Sequence, residues 1–445
     1  MLKKTLFLVA GSMLAAVPVL AGNGHLLHGV GAINSSLGGS GAGMPFDVLG
    51  ALHTNPALLT QLDDMHVAMS VEVFVDDLKA TTEASPSAAL PQGAPRHKTE
   101  SDGEPGILPA LGWSLHKPDS KWAYGFGVLA VAGFRTNYPV DAQSLLLAPQ
   151  PNGFGRLSTE LQVTKIPFAL AYQVNPDLSI GGSFNFYVSR LIINPLPVVV
   201  PDCTGTLPNG DLDPTTCYRP NTGVMVTEFA TSVQLGLYYE MTDAWSLGFS
   251  YTSNINTGEY EWNSAHANPD ITSGPNAFGN PRRIGIDLDQ PANAVLGFGY
   301  RPNDKLKVAF DVRWVGYSTE KGIGGQGGIN GQQQLVSIGW RDIWIAMLGV
   351  EYQASEDWTL RAGLNFNQSP IRESLTLNSG GTPSVFEEHY TVGVSRKITD
   401  HFKIDLGAYY TPANEIEGPF IGVPNATVAF ENSILSALAG FSFSF

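Results

Sequence analysis

The last twelve residues, ILSALAGFSFSF (434–445), decide the fold. Phe441, Phe443 and Phe445 alternate with Ser442 and Ser444. A period of two belongs to a β-strand, whose successive side chains point to opposite faces. An aromatic residue closing an alternating last strand is the usual end of a bacterial outer-membrane barrel.

The same period recurs upstream. In LKVAFDVRW (306–314), Leu306, Val308, Phe310, Val312 and Trp314 share one face, and Lys307, Asp311 and Arg313 share the other. WTLRAGLNFN (358–367) sets Trp358, Leu360, Leu364 and Phe366 against Arg361, Asn365 and Asn367. FKIDLGAYY (402–410) sets Phe402, Ile404 and Leu406 against Lys403 and Asp405. A soluble sandwich and a membrane barrel both produce this pattern. In the barrel the apolar face meets lipid and the charged face meets a wet lumen.

The connections alternate in length. Short turns such as KPDSK (117–121), NPDL (175–178), MTDA (241–244), RPNDK (301–305), ASED (354–357) and ITDH (398–401) carry Asp with Pro, Asn, Thr or Ser, as tight turns require. Longer connections lie near 76–106, 132–157, 194–223, 259–281, 318–340, 369–386 and 412–430. Short periplasmic turns and long external loops are the barrel arrangement. About fourteen strands are predicted, near 65–75, 108–116, 122–131, 158–173, 178–192, 224–240, 245–258, 283–300, 305–317, 341–353, 358–367, 387–397, 402–411 and 431–445. The fold class is an all-β, antiparallel transmembrane barrel.

The front of the chain agrees. Lys3 and Lys4 precede an apolar run and a small-residue site at 19–21, which reads as a secretory signal over residues 1–21. Its removal takes the formal charge from −15 to −17, since Lys3 and Lys4 are its charged residues. Such a chain is not expected to bind nucleic acid. Outside the signal, no apolar run approaches the roughly 20 residues of a spanning helix, so a membrane-spanning form must be a closed barrel. Cys203 and Cys217 flank a Gly/Pro-rich loop, and an exported chain is expected to join them in a disulfide.

Residues 22–64 lack the alternation and are glycine-rich (GGSGAG, 38–43). They precede the first strand and read as a plug, or hatch, folded into a lumen that would otherwise stay open. Within them LGALHTNPALLTQL (49–62) is an apolar segment broken by Pro56, which removes a backbone donor and turns Asn55 away from helical angles. Residues 65–445 form the barrel.

NGHLLHGVG (23–31), SLGGSGAGMPFD (36–47) and TNPALLT (54–60) resemble the hatch of the FadL-type outer-membrane transporters of long-chain fatty acids and their relatives that admit aromatic hydrocarbons. FRTNYPV (134–140), QPANAVLGFGYRPNDKLKVAFDVRWVGYS (290–318) and WRDIWIAMLGVEYQASEDWTLRAGLNFNQSPI (340–371) extend the resemblance over nearly the whole mature chain. It implies a fourteen-stranded barrel with a hatch, capture of substrate by external loops, an inner pocket and lateral escape beside a kinked third strand. No energy source or cofactor is implied.

The resemblance also marks residues. Asn55, Pro56 and Ala57 are either a gating element or a structural turn of the hatch. Ala130, Val131, Ala132 and Gly133 fall where the third strand would kink, and Gly125, Gly127 and Gly133 suit a bend or a bulge. Residues 142–147 are expected to form a short helix that exposes Leu145, Leu146 and Leu147 to an apolar ligand or lipid, or else to pack on the hatch or neighbouring loops. Arg190 and Lys321 resemble carboxylate-binding residues. Simple alternation puts Arg190 on the outward face of Phe184, Phe186 and Val188, so either a bulge turns it inward or it is a rim arginine that sits above the lipid facing polar headgroups. His25 and His28 have no third ligand, and no metal is expected. His389 and Ser374 are not singled out as base and nucleophile, and no enzyme is expected.

The expected partners are a hydrophobic small molecule and the outer-membrane lipid and lipopolysaccharide around a monomer. Passive uptake of long-chain fatty acids leads. Uptake of neutral aromatic hydrocarbons and a diffusion porin for polar solutes are the alternatives.

Overall fold

The computed structural model describes residues 23–87 and 90–445; the signal segment 1–21 lies outside them. Fourteen antiparallel strands close a barrel around a short helical segment. In chain order they are β1 (Asp64–Ala84), β2 (Gly106–His116), β3 (Trp122–Tyr138), β4 (Leu157–Asn175), β5 (Leu178–Asn194), β6 (Val226–Thr242) and β7 (Trp245–Thr252). Then follow β8 (Ala292–Asn303), β9 (Leu306–Gly316), β10 (Ile343–Gln353), β11 (Trp358–Asn367), β12 (Glu388–Thr399), β13 (Phe402–Pro419) and β14 (Ala426–Ser444). β1 closes the ring, pairing with β14 on one edge and β2 on the other. Among the described residues no helix is long and apolar enough to cross a membrane.

Alternation sorts the side chains as the period requires. Phe310 and Leu348 are exposed on the outer wall, whereas Asp311 and Arg313 are buried toward the lumen. Tyr, Trp and Phe form an outer girdle at the short-turn end, including Trp122, Trp245, Trp358 and Phe441.

Several strands outrun their predicted ends. β1 continues to Ala84 and pairs there with a strand over Ala94–Glu100, so most of the expected 76–106 connection is hairpin. Its polar outer face joins the neighbouring strand: Lys79 Nζ lies 3.0 Å from Glu431 Oε1. β13 likewise reaches Pro419 instead of ending near 411. The expected strand 283–300 is two. Pro281–Ile286 pairs with Tyr260–Ala265 outside the wall, and the wall strand starts after Pro291, which has no N–H for a ladder.

The hatch consists of α1 (Gly31–Ser36), α2 (Val48–Thr54) and a 3-10 turn over Pro56–Gln61. Asp47 caps α2 by accepting from Leu49 N at 3.1 Å and Gly50 N at 3.2 Å. Pro56 opens the 3-10 turn, where a missing N–H costs nothing. Hatch and wall meet backbone to backbone. Inward-facing glycines permit this: a Cβ on Gly248 would overlap Ala42 O, and one on Gly363 would overlap the backbone of Leu37 and Gly38. The Asp311 carboxylate accepts from Gly41 N at 2.9 Å and Ala42 N at 2.8 Å, fixing the glycine-rich loop to β9.

Gly248→Val should weaken hatch docking by the upper end of about 1–3 kcal/mol. The variant barrel should keep its heat-modifiable mobility on a gel yet show larger open-channel current in planar bilayers. Wild-type current in a folded variant would contradict this contact.

Candidate functional site

The third strand departs from its neighbours. Its pairing with β2 ends at Leu129 opposite Ala110, while β2 continues against β1 alone. Pro109, with no N–H to offer, begins the stretch that β3 leaves. On the other side the β3–β4 register shifts between Ala130 and Ala132, which leaves Val131 as a bulge and bends the strand.

The edge so exposed is taken by the hatch. Leu27 N donates to Val131 O at 2.9 Å, Gly133 N donates to His25 O at 2.8 Å, and Leu26 lies opposite Ala132. Higher up the gap is bridged again: Asn137 Nδ2 donates to Asp102 O at 3.0 Å and Arg135 to Glu104 O at 2.7 Å. The result is a window in the wall between Leu129 and Arg135, backed by residues 25–27. Tyr317 OH donates to Asn23 O at 3.0 Å, and the His25 ring bonds Gln290 Oε1. Burial pushes the His25 imidazole down to about 4, against that bond, so it is neutral at pH 7.

Behind the window lies a narrow inner cavity bounded by Leu26, Leu27, Val131, Val163, Lys165 and Arg313. Both cations are nearly inaccessible, Lys165 at 3% and Arg313 at 4% exposure. Lys165 Nζ donates to Gln234 Oε1 at 2.7 Å and to Leu52 O at 3.1 Å. Among the described residues Arg313 Nε has no hydrogen-bond partner. Among the described residues neither cation has a carboxylate within ion-pair distance, although Asp311 acts on Arg313 through space. A buried cation without a paired anion is costly, and these two face an otherwise mainly apolar space.

An outer cavity opens among the external loops, with Phe134, Ile193, Ile286, Leu288 and Ile338 on its walls. Lys321 stands at its mouth, exposed, its Nζ 3.8 Å from Asp287 Oδ2. Phe134 follows the bulge and links the window to this cavity.

The remaining expected residues fall as follows. Asn55 is fully buried; its Nδ2 donates to Ala42 O at 2.8 Å and to Leu237 O of β6 at 2.9 Å, and its Oδ1 accepts from Ala57 N at 3.1 Å. Cys203 and Cys217 are disulfide-bonded. Two expectations are corrected. Residues 142–147 form turns and no helix, and Leu146 and Leu147 are buried among core side chains with Leu145 half-buried, because Leu145 N and Leu147 N are held by Thr82 and Ser144 hydroxyls. Arg190 does not face the lumen. No bulge interrupts β5 near it, and it stays in the outward row, donating to Gln162 Oε1 at 3.3 Å.

Lys165 was not singled out from the sequence, although LQVTKIPF (161–168) places it in the inward row with Leu161 and Val163. Arg313 stood on the lumen face of its strand, without a reason to separate it from Lys307.

A family model described as "Outer membrane protein transport protein (OMPP1/FadL/TodX)" matches residues 22–417. A protein of Neisseria meningitidis serogroup B, NMB0088, named as an outer membrane protein, is 23% identical over 405 residues, covering 84% of this chain and 82% of the relative. The crystal structure of a Pseudomonas aeruginosa FadL homologue matches with a TM-score of 0.74 at 15% identity, over 96% of this chain and 100% of the other. The Pseudomonas putida toluene transporter TodX matches at 0.67 and 20% identity, over 94% and 99%. The Ralstonia pickettii toluene transporter TbuX matches at 0.65 and 20% identity, over 94% and 99%.

Asn55→Ala removes a cap, one bond within the hatch and one hatch–wall bond. It should destabilise the docked hatch by about 2 kcal/mol, so that exchange of hatch amides in the folded barrel rises roughly thirtyfold. Unchanged exchange would show that Asn55 does not hold the hatch.

Proposed function

Because the chain belongs to the OMPP1/FadL/TodX family of outer membrane transport proteins, we propose that it takes up hydrophobic molecules passively, long-chain fatty acids first among them. It lies in the outer membrane of a Gram-negative bacterium, which it crosses with strands.

Substrate enters the outer cavity, where Ile193, Leu288 and Ile338 provide apolar contact and Lys321 draws an anionic head from the medium. It passes Phe134 into the inner cavity. There the carboxylate meets Lys165 and Arg313 while the chain lies against Leu26, Leu27, Val131 and Val163. Release follows withdrawal of residues 25–27 from the β3 edge, which opens the window sideways to lipid. The gradient of free substrate drives each step, and nothing in the path calls for a cofactor. A free wall beside the window suits a monomer.

The observation that carries the acid reading is the pair of buried cations without an ion-paired carboxylate. A fatty acid supplies the missing anion. A neutral hydrocarbon leaves both uncompensated at the same cost as the empty site. The aromatic-hydrocarbon reading draws support from the likeness to TodX and TbuX, whose names specify toluene. A porin for polar solutes is disfavoured by a lumen filled with buried hatch residues.

Lys165→Met with Arg313→Met should reduce oleate affinity by roughly 10–100-fold, as expected for losing charged hydrogen bonds. Uptake of labelled oleate by a transporter-deficient strain should fall in step, while toluene entry stays at the wild-type rate. Equal loss of both substrates, or loss of neither, in a correctly inserted barrel would overturn the acid reading.

A further inference from the structure

The outer wall beside the window carries a second site, on the opposite face of β4 and β5 from the transport path. On β5 the outward row runs Ile180, Phe184, Phe186, Val188, and on β6 it runs Leu235, Val233, Thr231, Phe229. Phe229 is 59% exposed and stacks on Phe186 with centroids 5.6 Å apart. The eleven residues from Leu178 to Val188 make ten steps, which at about 3.3 Å each and tilted by about 40° cover about 25 Å, the height of an apolar barrel band. Lipid contact therefore ends at Val188 and Phe229.

The next row is polar. Gln162, Arg190 and Thr227 lie side by side in register, and Gln162 faces Gly133 at the window. This is the level of lipid headgroups. Arg190 donates to Gln162 Oε1 at 3.3 Å. Glu160 lies one outward row higher, opposite Arg135, and is bonded by Gln162 Nε2.

Above that row an open cavity lies on the same face, lined by Gln150, Phe154, Arg156, Ser158, Asn194 and Asn221 among others. It shares no lining residue with either transport cavity. Its polar groups are pre-set. Asn194 Oδ1 accepts from Thr222 N at 2.8 Å and from Thr222 Oγ1 at 2.9 Å, and its Nδ2 has no partner among the described residues. Arg156 donates to Asn137 Oδ1 at 2.8 Å from NH2. Arg219 covers one face of the Phe154 ring at 5.0 Å, leaving an aromatic surface with amides, a hydroxyl and a guanidinium around it.

We propose that this face seats one phosphorylated glycolipid of the outer leaflet: acyl chains on the Phe184, Phe186 and Phe229 rows, a phosphate at Arg190, and sugar in the cavity at Asn194 and Phe154. Asn194 follows Arg190 by four steps along one face, about 13 Å, so phosphate and sugar fall at successive heights. A guanidinium binds phosphate bidentately, and amides and hydroxyls suit a sugar's donors and acceptors. A phospholipid satisfies the lower two levels and leaves the cavity unfilled, and free phosphate lacks the chains. The site is independent of what the channel transports.

Native mass spectrometry of the full-length barrel tests this, with lipopolysaccharide lacking O-antigen, its dephosphorylated form and phosphatidylglycerol as probes. Wild type should retain one phosphorylated lipopolysaccharide. Arg190→Gln should weaken it about tenfold, equivalent to about 1.4 kcal/mol, and dephosphorylation should do the same to wild type but not to the variant. Asn194→Leu should weaken lipopolysaccharide and leave phosphatidylglycerol unchanged. Each variant must keep a heat-modifiable barrel. Retention of lipopolysaccharide unaffected by either substitution, or phosphatidylglycerol held as tightly as lipopolysaccharide in wild type, would overturn the glycolipid seat.

Discussion

The structure depends on backbone-to-backbone contact between hatch and wall. A barrel of fourteen strands leaves a lumen too wide for wall side chains alone to fill. The hatch fills it only because inward glycines such as Gly248 and Gly363 let its main chain reach the strands. Polar groups of the wall then satisfy hatch N–H and C=O groups: Asp311 at Gly41 and Ala42, Gln234 at Thr54, Asn365 at Gly38. Main chain buried in a lumen needs such partners, and Asn55 answers from the hatch side by reaching Leu237 O.

The same contact governs the window. β3 loses its β2 partner above Leu129, and an unpaired strand edge is unstable in lipid. Residues 25–27 satisfy that edge from inside. Wall integrity and hatch position are therefore coupled: with the hatch seated, residues 25–27 close the strand edge. The inner cavity sits against this joint, with Leu26, Leu27, Val131 and Ala132 among its walls, so a ligand there touches the elements that would have to move.

Much of this was legible in the chain. Phe441 and Phe443 set the register of the last strand and lie on its outer face, and Phe445, exposed just past the strand's end, stacks on Phe443. Alternation also placed Arg190 outward, and the register agrees; resemblance to a pocket arginine pointed the other way. What was not legible depends on height and on partners in other strands. Nothing local distinguishes Lys165 from a surface lysine, because its burial comes from Leu52 and Gln234 far away in sequence. Leu146 and Leu147 look like an exposed apolar patch until Thr82 and Ser144 fold them inward. The strand glycines read as curvature, since their contacts belong to the hatch. Strand ends past the lipid are set by charge pairs between neighbours, such as Lys79 with Glu431, that no single strand displays.

The central claim is that residues 25–27 must leave the β3 edge before substrate is released. Leu26 and Ala132 face each other across an antiparallel bridge, at a separation a disulfide spans. Cysteines at these two positions, oxidised in the inserted barrel, should abolish labelled oleate uptake, while each single-cysteine variant transports normally. Wild-type uptake through the fully cross-linked protein would contradict the account.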